Sequence, residues 1–342
     1  MRNGGGVYFG VLHGEGLHEF QVWNDSAYRP VEFSNNTAAA GGAFYFTSTS
    51  SVTVDTYASF VNTRIDNNIA DNAAAFYIES YGEGTAGTSQ VYTHVLMTRT
   101  LVGDFVPGCA PGVRCNTLSD NQAQNGCVVE VQRYGPTGTA SVYLDHAAVR
   151  DNFAGSDILC GSSAPVTVES SLFEGNTAQN LISVTSAALR VRNSTIADNP
   201  SSSGSLFFVV FQDASLELAH DILYQGEGSV DAANITQGLP FDAHDIGFYG
   251  VDVGLDDPGL NIQGLDPEPF VNRTQGDFHL LLTSAAVDRW GPSGDPNDPP
   301  PVTDLDGALR PFQFNSPITP YDFGAYEAGA LTDAIFVNGF DP

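Results

Sequence analysis

The sequence contains no lysine, and this absence is the first constraint on its function. All 12 basic residues are arginines, against 40 acidic residues, which gives a formal net charge of -28. A protein with this charge repels nucleic acids and anionic membrane surfaces. Polyanionic substrates are disfavoured for the same reason, unless a local arginine patch or bound cations overcome the overall field.

Long apolar runs are also missing. No stretch approaches the roughly 18 consecutive apolar residues that a membrane-spanning helix requires, so we expect no membrane span. No secretion signal is recognisable in the opening MRNGGGVYFG. The four cysteines, the acidic character and the many Gly, Ser and Thr residues nevertheless favour a secreted protein whose leader is missing from this sequence.

Motifs that identify common enzyme classes are absent as well. The seven histidines occur singly, without HExxH or HxH spacing. The glycine-rich GGGVYFG has no lysine and no helix signal after it, which argues against a phosphate-binding loop. No Ser-His-Asp order stands out along the chain.

What the sequence does contain is a repeat that ends in asparagine. SLFEGN at residues 171–176 is followed 23 residues later by STIADN at residues 194–199. Counted back from the Asn, position −3 is apolar and position −8 is apolar or aromatic in each repeat. The asparagines are Asn36, Asn68, Asn152, Asn176 and Asn199, and Gly226 takes the equivalent position in a further repeat.

Repeats of this length, built from short strands, are typical of solenoids, in which each coil buries its apolar face against its neighbours. The candidate strands alternate in Val, Phe, Ile and Thr without helical periodicity, which favours a parallel β-helix over a leucine-rich repeat. We predict an all-β, right-handed parallel β-helix at residues 1–228 and a loop-rich section at residues 229–342 that continues or caps it. Each Asn would form a corner, bind the Asn of the next coil and adopt a left-handed backbone.

The stretch from residue 83 to residue 127 departs from the repeat. We assign its corner to Asp104, with Leu96 at −8, rather than to Asn121, because counting back from Asn121 reaches a Pro/Gly loop. This assignment makes residues 105–126 an inserted loop. Long loops on a solenoid are frequent binding sites, so this loop is the first place to expect a ligand.

The four cysteines fit stacked coils. Cys109 and Cys115 flank a short loop, whereas Cys127 and Cys160 lie in equivalent strands of successive coils. Among three possible pairings, we predict the disulfides Cys109–Cys115 and Cys127–Cys160. A zinc site is the alternative, but no CxxC motif or nearby histidine pair accompanies these cysteines.

Three strings near the C-terminus, DPEPFVNRTQGDFHLLLTSAAVDRWG, TDLDGALRPF and YDFGAYE, carry a resemblance to a known family. Together with the coil pattern they resemble bacterial secreted right-handed parallel β-helix proteins with a choice-of-anchor type C-terminal segment. The closing DAIFVNGFDP resembles short export tails of secreted proteins. The resemblance implies the fold and export but no particular activity. His279, inside DFHL, is interpreted as structural.

Catalysis would require carboxylates that meet across coils, because the paired-acid motifs of β-helix glycoside hydrolases are missing. Asp120, Asp145 and Asp151 are the candidates, since they flank the insertion or follow it by one coil. A lyase would need an arginine base, although the high pKa of arginine makes ion pairing the simpler role. The arginines considered are Arg99, Arg133, Arg150, Arg190 and Arg192. Turn formation is the simpler role of the three aspartates.

Acidic turns are candidate cation sites. Asp256 and Asp257 lie in VDVGLDDPGL, and Asp304 and Asp306 lie in TDLDG. Ca²⁺ binds carboxylate and carbonyl oxygens of flexible Gly/Asp loops, so these four residues are candidate Ca²⁺ ligands. Aspartates also form turns without any metal, which is the competing interpretation.

The first residues resemble the second half of a coil, since Val7, Phe9 and Val11 alternate after Asn3. We expect one of three situations. The sequence is a piece of a longer protein, another subunit completes the coil by self-association, or residues 12–32 fold back over the end as a lid.

These observations predict a secreted or surface-displayed, non-catalytic β-helix protein with a structural or adhesive role, for which carbohydrate is a candidate ligand. The alternative is a polysaccharide-degrading enzyme, a hydrolase or a lyase, with an acidic site assembled across coils. An exposed aromatic row beside paired carboxylates would favour the enzyme. A smooth face of Asn, Ser and Thr would favour the adhesin.

Overall fold

The computed structural model describes residues 5–12, 16–22, 30–51, 54–84, 91–97, 116–254, 262–291, 300–310 and 321–328. Residues 91–97 and 262–263 are described by their backbone alone. Within these residues the secondary structure consists of β-strands and one 3-10 turn at Arg273–Gln275. In this part of the chain, no helix has the length and apolar character needed to cross a membrane.

Three long parallel sheets form the body, with the strands numbered in chain order. Sheet 1 contains β1 (Val7–Leu12), β5 (Phe44–Ser50), β9 (Phe76–Gly82), β13 (Val129–Tyr134), β17 (Leu159–Ser162), β20 (Ile182–Thr185), β23 (Ser205–Val210), β26 (Val230–Ile235) and β29 (Val251–Asp252). Sheet 2 contains β2 (Gly16–Val22), β6 (Val54–Phe60), β10 (Val91–Met97), β14 (Gly138–Asp145), β18 (Val166–Glu169), β21 (Ala188–Arg192), β24 (Ser215–Ala219) and β27 (Phe241–His244). Sheet 3 contains β3 (Val31–Ser34), β7 (Thr63–Asp66), β11 (Asn116–Ser119), β15 (Ala147–Arg150), β19 (Leu172–Glu174), β22 (Thr195–Ala197), β25 (Ile222–Tyr224), β28 (Ile246–Tyr249) and β30 (Ile262–Gly264).

Two smaller sheets complete the secondary structure. Sheet 4 contains β4 (Thr37–Ala40), β8 (Ile69–Asn72), β12 (Gln122–Ala123) and β16 (Phe153–Ala154). The strands β31 (Phe270–Asn272) and β32 (Asp277–Leu280) form an antiparallel hairpin. Consecutive strands of the body belong to different sheets, and neighbours within a sheet lie one coil apart. The strands β18, β19 and β20, for example, pair in parallel with β21, β22 and β23. The fold is a right-handed parallel β-helix, as the repeat predicts.

The interior consists of apolar side chains stacked coil upon coil. Phe44 lies on Phe76 with ring centroids 5.2 Å apart, and both are fully buried. In-register pairing of β5 with β9 produces this stack, because like positions of the repeat face one another. Burying a side chain of this kind contributes about 1.5–3 kcal/mol. Each coil therefore depends on its neighbours for most of its stability.

A ladder of asparagines runs along the corner that follows sheet 3. Asn152 donates hydrogen bonds from its backbone N–H and its Nδ2 to Oδ1 of Asn176, at 3.1 and 2.9 Å. Its Nδ2 also donates to the carbonyl of Leu118 at 2.9 Å. Asn176 repeats this pattern on Asn199. The ladder comprises Asn36, Asn68, Asn121, Asn152, Asn176 and Asn199.

The left-handed residue of each corner lies just before the ladder asparagine. Asn35, Asn67, Asp120, Asp151, Gly175 and Asp198 have φ between 51° and 65°. The expectation that the ladder asparagine itself is left-handed is therefore wrong. The preceding residue turns the chain, so the side chain of the asparagine points into the interior. There it forms hydrogen bonds with backbone groups of two coils.

The inserted residues lie between a strand of sheet 2 and a strand of sheet 3. The strand β10 pairs with β6 and β14, which places Met97 opposite Phe60 and Leu144. Met97, and not Leu96, is therefore the residue of this coil that is equivalent to position −8. The next strand of the same coil is β11, which begins at Asn116.

The corner of this coil is Asn121, so its assignment to Asp104 is wrong. Asn121 donates to Asn152 and accepts from Asn68, while β11 and β12 on either side pair with both neighbouring coils. The placement of the inserted loop at residues 105–126 is wrong for its second part, because residues 116–126 belong to the coil. In this coil, extra residues separate Met97, the equivalent of position −8, from Leu118 at position −3. Counting eight residues back from Asn121 therefore does not reach Met97. Residues 98–115, Asp104 included, lie outside the described residues.

Residues 16–22 form an ordinary strand of the β-helix. They constitute β2, which pairs in parallel with β6 over seven positions. The lid expected at residues 12–32 is therefore wrong for this stretch. The alternation of Val7, Phe9 and Val11 is confirmed as β1, which pairs with β5.

The disulfide Cys127–Cys160 is present, as predicted. It joins successive coils beside sheet 1, with the two Cα atoms 6.0 Å apart and 33 residues between the cysteines in sequence. The proposed partners Cys109 and Cys115 lie outside the described residues.

The C-terminal section first continues the β-helix and then covers one of its flanks. Strands β26 to β30 extend the three sheets beyond residue 228. Residues 265–291, 300–310 and 321–328, named here the C-terminal segment, pack on the outer face of sheet 3. Their apolar side chains, including Phe270 and Phe323, share a second core with Leu172, Ile222 and Tyr224 of that sheet.

We predict that Asn176→Ala destabilises the protein by roughly 1–3 kcal/mol, because buried hydrogen-bond partners in two coils are left unsatisfied. Chemical denaturation monitored by circular dichroism measures this change. Gln124→Ala, an exposed position beyond the same type of corner, is the control and should leave stability unchanged. An unaltered unfolding midpoint in Asn176→Ala would contradict a stabilising ladder.

We also predict that the Cys127–Cys160 bond stabilises the fold by about 3–4 kcal/mol, the loop-closure value for a 33-residue separation. Peptide mapping without reduction should recover this pair. The double variant Cys127→Ser, Cys160→Ser should unfold at a lower denaturant concentration. Recovery of Cys127 joined to another cysteine would refute the pairing.

Candidate functional site

A row of stacked tyrosines lies on the outer face of sheet 1. Tyr8 and Tyr45 have ring centroids 5.3 Å apart, and Tyr45 and Tyr77 have centroids 4.9 Å apart, each pair inclined by 26°. The parallel register of β1, β5 and β9 places the three residues directly opposite one another. Tyr8 is 56% exposed and Tyr45 is 8% exposed, so the row is open to solvent mainly at its Tyr8 end.

Carboxylates adjoin the tyrosine row. The hydroxyl of Tyr45 donates to Oε1 of Glu79 at 2.9 Å. Glu130 takes the position after Tyr77 in the same row and accepts a hydrogen bond from Nε2 of Gln132. Burial raises the pKa of Glu130, with a further contribution from Glu79, while the hydrogen bond from Gln132 lowers it. Burial and the neighbouring glutamates also raise the pKa values of Tyr45 and Tyr77, so these two hydroxyls stay protonated.

Small polar side chains continue this face in the next coils. Glu130 and Gln132 are followed by Ser162, Ser183 and Thr185, which line a cavity of about 90 Å³. A cavity of this size is too small to enclose a ligand, since ligand pockets usually have several hundred Å³. The face is therefore suited to a ligand that lies along it. We name the tyrosine row, Glu79, Glu130 and Gln132 the tyrosine platform.

A second polar cluster lies on the outer face of sheet 2. The hydroxyl of Tyr143 donates to Glu169, and Asp145 lies opposite Glu169 in the neighbouring coil. Nδ1 of His146 is 2.5 Å from Asp145, and its Nε2 is 3.2 Å from Oγ1 of Thr303 in the C-terminal segment. Burial raises the pKa of Glu169. The hydrogen bond from Tyr143 lowers this pKa, and the charge of Asp145 raises it further.

The arginines of sheet 2 and sheet 3 are ion-paired. Arg190 and Arg192 both bind Glu217 one coil further on. Arg150 lies 2.5 Å from Glu174 and donates to the carbonyl of Gly276 at 2.9 Å. These contacts agree with ion pairing, which was the simpler of the two roles considered for these arginines. Arg99 lies outside the described residues, and Arg133 is exposed.

The three aspartates considered as catalytic candidates do not form one site. Asp120 and Asp151 are the left-handed corner residues of successive coils, so they are neighbours. Burial and the charge of Asp120 raise the pKa of Asp151, against the effect of Arg150. Asp145 lies at the other end of β15, about 15–20 Å away along the chain direction. Glycosidase carboxylates are about 5–9.5 Å apart, so Asp145 cannot act with the other two.

The C-terminal segment contains a buried ionic cluster. Nε of Arg310 lies 2.9 Å from Glu327, and both side chains are fully buried. Arg310 also donates to the carbonyls of Gly324 and Tyr326. Burial, joined by the charge of Glu327, raises the pKa of Asp322 well above its usual range. The DLDGALR and DFGAYE strings therefore form a structural clasp.

Close contacts fix this clasp to the β-helix. The backbone N–H groups of Gly324 and Ala325 donate to the carbonyl of His220 and to Oγ1 of Thr195, at 2.8 and 3.0 Å. A Cβ on Gly324 would lie 2.6 Å from Oγ1 of Thr195, and the φ of Gly324 is 85°, so only glycine fits this position. The ring of Trp290 stacks on His220 at 3.7 Å.

The aspartates considered as Ca²⁺ ligands are engaged with protein donors where they are described. Asp304 accepts hydrogen bonds from the N–H groups of Ala308 and Glu327. Oδ2 of Asp306 lies 3.0 Å from Nε2 of His279. These contacts give both residues a role in the clasp. Asp256 and Asp257 lie outside the described residues.

The spacing of the sequence carries a signal for the tyrosine platform. Tyr45 and Tyr77 follow Asn36 and Asn68 by nine residues each, and Glu130 follows Asn121 by nine. Residues at the same distance from a ladder asparagine stack in a parallel β-helix. Recognition of Glu130 required Asn121 as the corner, so the misplaced corner concealed this part of the row.

Comparison with known proteins leaves the chain without an assigned family. No protein-family model matches it, and no curated protein matches it.

We predict that stability falls as pH rises from about 6.5 to 9, because of His279. Burial alone would lower its pKa, but Asp306 and Asp277 outweigh burial and raise the pKa to about 9. A group with a raised folded-state pKa stabilises fully below its unfolded value of about 6.5 and loses this effect as pH passes its folded value. The full shift corresponds to about 3 kcal/mol, and we expect roughly half because a third of the side chain is exposed.

Thermal melts of the protein and of His279→Gln between pH 6 and pH 10 test this prediction. The variant should show a smaller decrease in melting temperature over this interval. His18→Gln, at the other end of the molecule, should follow the unmodified protein. Equal decreases in all three proteins would show that His279 does not hold its proton.

Proposed function

We propose that this protein is a secreted or surface-displayed β-helix with a structural or adhesive role, and that its tyrosine platform binds carbohydrate without catalysis. The stacked row of Tyr8, Tyr45 and Tyr77 on the outer face of sheet 1, open to solvent mainly at Tyr8, is the observation that carries the proposal. The rings cover one another's faces, so the row presents ring edges and hydroxyl groups along the sheet, and the outer face of Tyr8 is not stacked on another ring of the row. Aromatic side chains on a rigid sheet offer such contact area at little entropic cost. The apolar C–H face of a sugar ring is complementary to such a surface.

Polar groups beside the row fit the hydroxyl groups of a sugar. Glu79 and Glu130 accept hydrogen bonds, and Gln132 both donates and accepts them. In the following coils Ser162, Ser183 and Thr185 add small polar groups along the same face. The aromatic row beside Glu79 and Glu130 is the feature expected of the enzyme, and the Ser and Thr side chains beyond Cys160 are the feature expected of the adhesin. Both carboxylates of the platform are engaged by Tyr45 and Gln132, and the small cavity favours binding along the surface, so we rank binding first. The net charge of -28 favours a neutral glycan over a polyanionic one.

The disulfide supports an extracellular location. Bonds such as Cys127–Cys160 form and persist in oxidising compartments and are rare in the cytosol. The resemblance of the C-terminal strings and tail to those of exported bacterial proteins points in the same direction.

A polysaccharide-degrading activity is the second candidate function, and one observation favours it. Asp145 and Glu169 lie opposite each other in adjacent strands, and burial raises the pKa of Glu169. Adjacent strands are about 4.8 Å apart, close to the carboxylate separation of retaining glycosidases, about 5–5.5 Å. The hydrogen bond from Tyr143 to Glu169 occupies one of these oxygens, so we rank this function second.

We predict that Tyr77→Ala weakens binding to a neutral glycan by at least about tenfold, equivalent to about 1.4 kcal/mol. A glycan array with and without Ca²⁺ identifies the ligand, and calorimetry then compares the variants. Tyr8→Phe, which keeps the ring, should bind nearly as well as the unmodified protein. Phe153→Ala removes an exposed aromatic ring on sheet 4, away from the platform, and serves as the control.

The same experiment separates the two functions. If every glycan that binds is unaffected by Tyr77→Ala, the platform is not the binding site. If a bound glycan releases reducing ends or unsaturated products, and Glu169→Gln abolishes the release, the enzymatic function replaces the binding function.

A further inference from the structure

The last coils bring two histidines and an aspartate together. His220 follows β24, and Asp245 follows β27 in the next coil, with Ala219 opposite His244 in the register of the two strands. The backbone N–H of His220 donates to the carbonyl of His244 at 3.2 Å. Potential ligand atoms of His220, His244 and Asp245 all lie within 4.8 Å of one another. The two histidines are 24 positions apart in sequence, so no sequence motif identifies this cluster.

We propose that His220, His244 and Asp245 bind a divalent transition metal ion of the zinc type. Two imidazoles and one carboxylate are a donor set that Zn²⁺ takes readily, with water completing the coordination. Ca²⁺ and Mg²⁺ prefer oxygen-only ligands and would not select this site. The proposal is independent of carbohydrate binding, which concerns a different face.

The geometry of the cluster is largely fixed before a metal binds. His220 and Asp245 are both left-handed corner residues, with φ of 62° and 54°, so their Cβ atoms project side by side. The His220 ring is held by Trp290, which stacks on it at 3.7 Å with an interplanar angle of 12°. Nδ1 of His220 already lies 3.4 Å from Oδ2 of Asp245.

The remaining ligand can move into place from the solvent side. The side chain of His244 is 31% exposed and that of Asp245 is 23% exposed, whereas that of His220 is 3% exposed. Ligands of a tetrahedral zinc ion are about 3.3 Å apart, given bonds of about 2.0–2.1 Å. The donor atoms therefore need to approach by about 1.5 Å at most, which a rotation of the exposed His244 can supply. Asp242, 3.5 Å from Nδ1 of His244, is placed to orient that ring.

The other ligand cluster found in the described residues does not compete for the metal. It consists of Cys127, Asp157 and Cys160, and its two sulfur atoms form the disulfide. His279 lies between two carboxylates, those of Asp277 and Asp306. That histidine offers only one imidazole, so it provides a matched control.

The site would bind the last coils to the C-terminal segment. Trp290, which stacks on His220, donates from Nε1 to the carbonyl of Asp322 at 3.0 Å. Gly324 of the same segment donates to the carbonyl of His220 at 2.8 Å. A metal ion on His220 would thus be connected through direct contacts to the clasp, and its binding would stabilise the folded chain.

Calorimetric titration of the full chain with Zn²⁺, after treatment with a chelator, tests the proposal. We expect one ion per chain, an increase in melting temperature with Zn²⁺ but not with Ca²⁺, and weaker binding at lower pH because the imidazoles must be unprotonated. Co²⁺ in place of Zn²⁺ should give visible absorption bands of a four- or five-coordinate site.

Variants distinguish this site from surface binding. His244→Ala and Asp245→Asn should each lower Zn²⁺ affinity more than the roughly 10–100-fold typical of outer-shell partners. Asp242→Asn should lower it by about tenfold. His279→Gln should bind like the unmodified protein. Absence of Zn²⁺ binding, or unchanged affinity in His244→Ala, or equal loss in His279→Gln would each overturn the proposal.

Discussion

The in-register stacking of coils is the constraint on which the rest of this structure depends. Each backbone corner after sheet 3 leaves polar groups that must be satisfied in the interior, and the asparagine ladder satisfies them across the coil boundary. From Asn36 to Asn176, each ladder asparagine binds the asparagine directly opposite it in the next coil. The ladder therefore fixes the register, and the register fixes which side chains meet on every other face.

Stacking of like on like has different consequences inside and outside the β-helix. Inside, it produces columns of apolar side chains such as Phe44 on Phe76. Outside, it turns isolated residues of the sequence into rows and clusters. Tyr8, Tyr45 and Tyr77 become a platform, and His220 becomes a neighbour of Asp245. Functional surfaces of this fold are assembled from residues one coil apart.

The fold could be predicted from the sequence because residues at the same position of the repeat pair with one another in neighbouring coils. The asparagine positions and the alternating strands follow from counting residues within one coil, and the Cys127–Cys160 bond follows from the stacking of successive coils. Counting failed where the coil length changed, between Met97 and Asn116, and this displaced the corner to Asp104. The residues of the clasp around Arg310 stood out in the sequence as the strings TDLDGALRPF and YDFGAYE. The contacts of the clasp with Thr195 and His220 depend on tertiary packing, which the spacing of residues does not encode.

The clasp covers one outer face of the β-helix and shields it from solvent. Sheet 3 has apolar side chains on its outside, among them Leu172, Ile222 and Tyr224, and they are buried only because the C-terminal segment covers them. A buried ion pair such as Arg310–Glu327 adds little net stability, because desolvation offsets its attraction. Removal of either partner would leave an unpaired buried charge, so the pair selects one arrangement of the segment over others. Among the described residues, the segment covers sheet 3, while the tyrosine platform and the cluster of Tyr143, Asp145 and Glu169 lie on the outer faces of sheets 1 and 2.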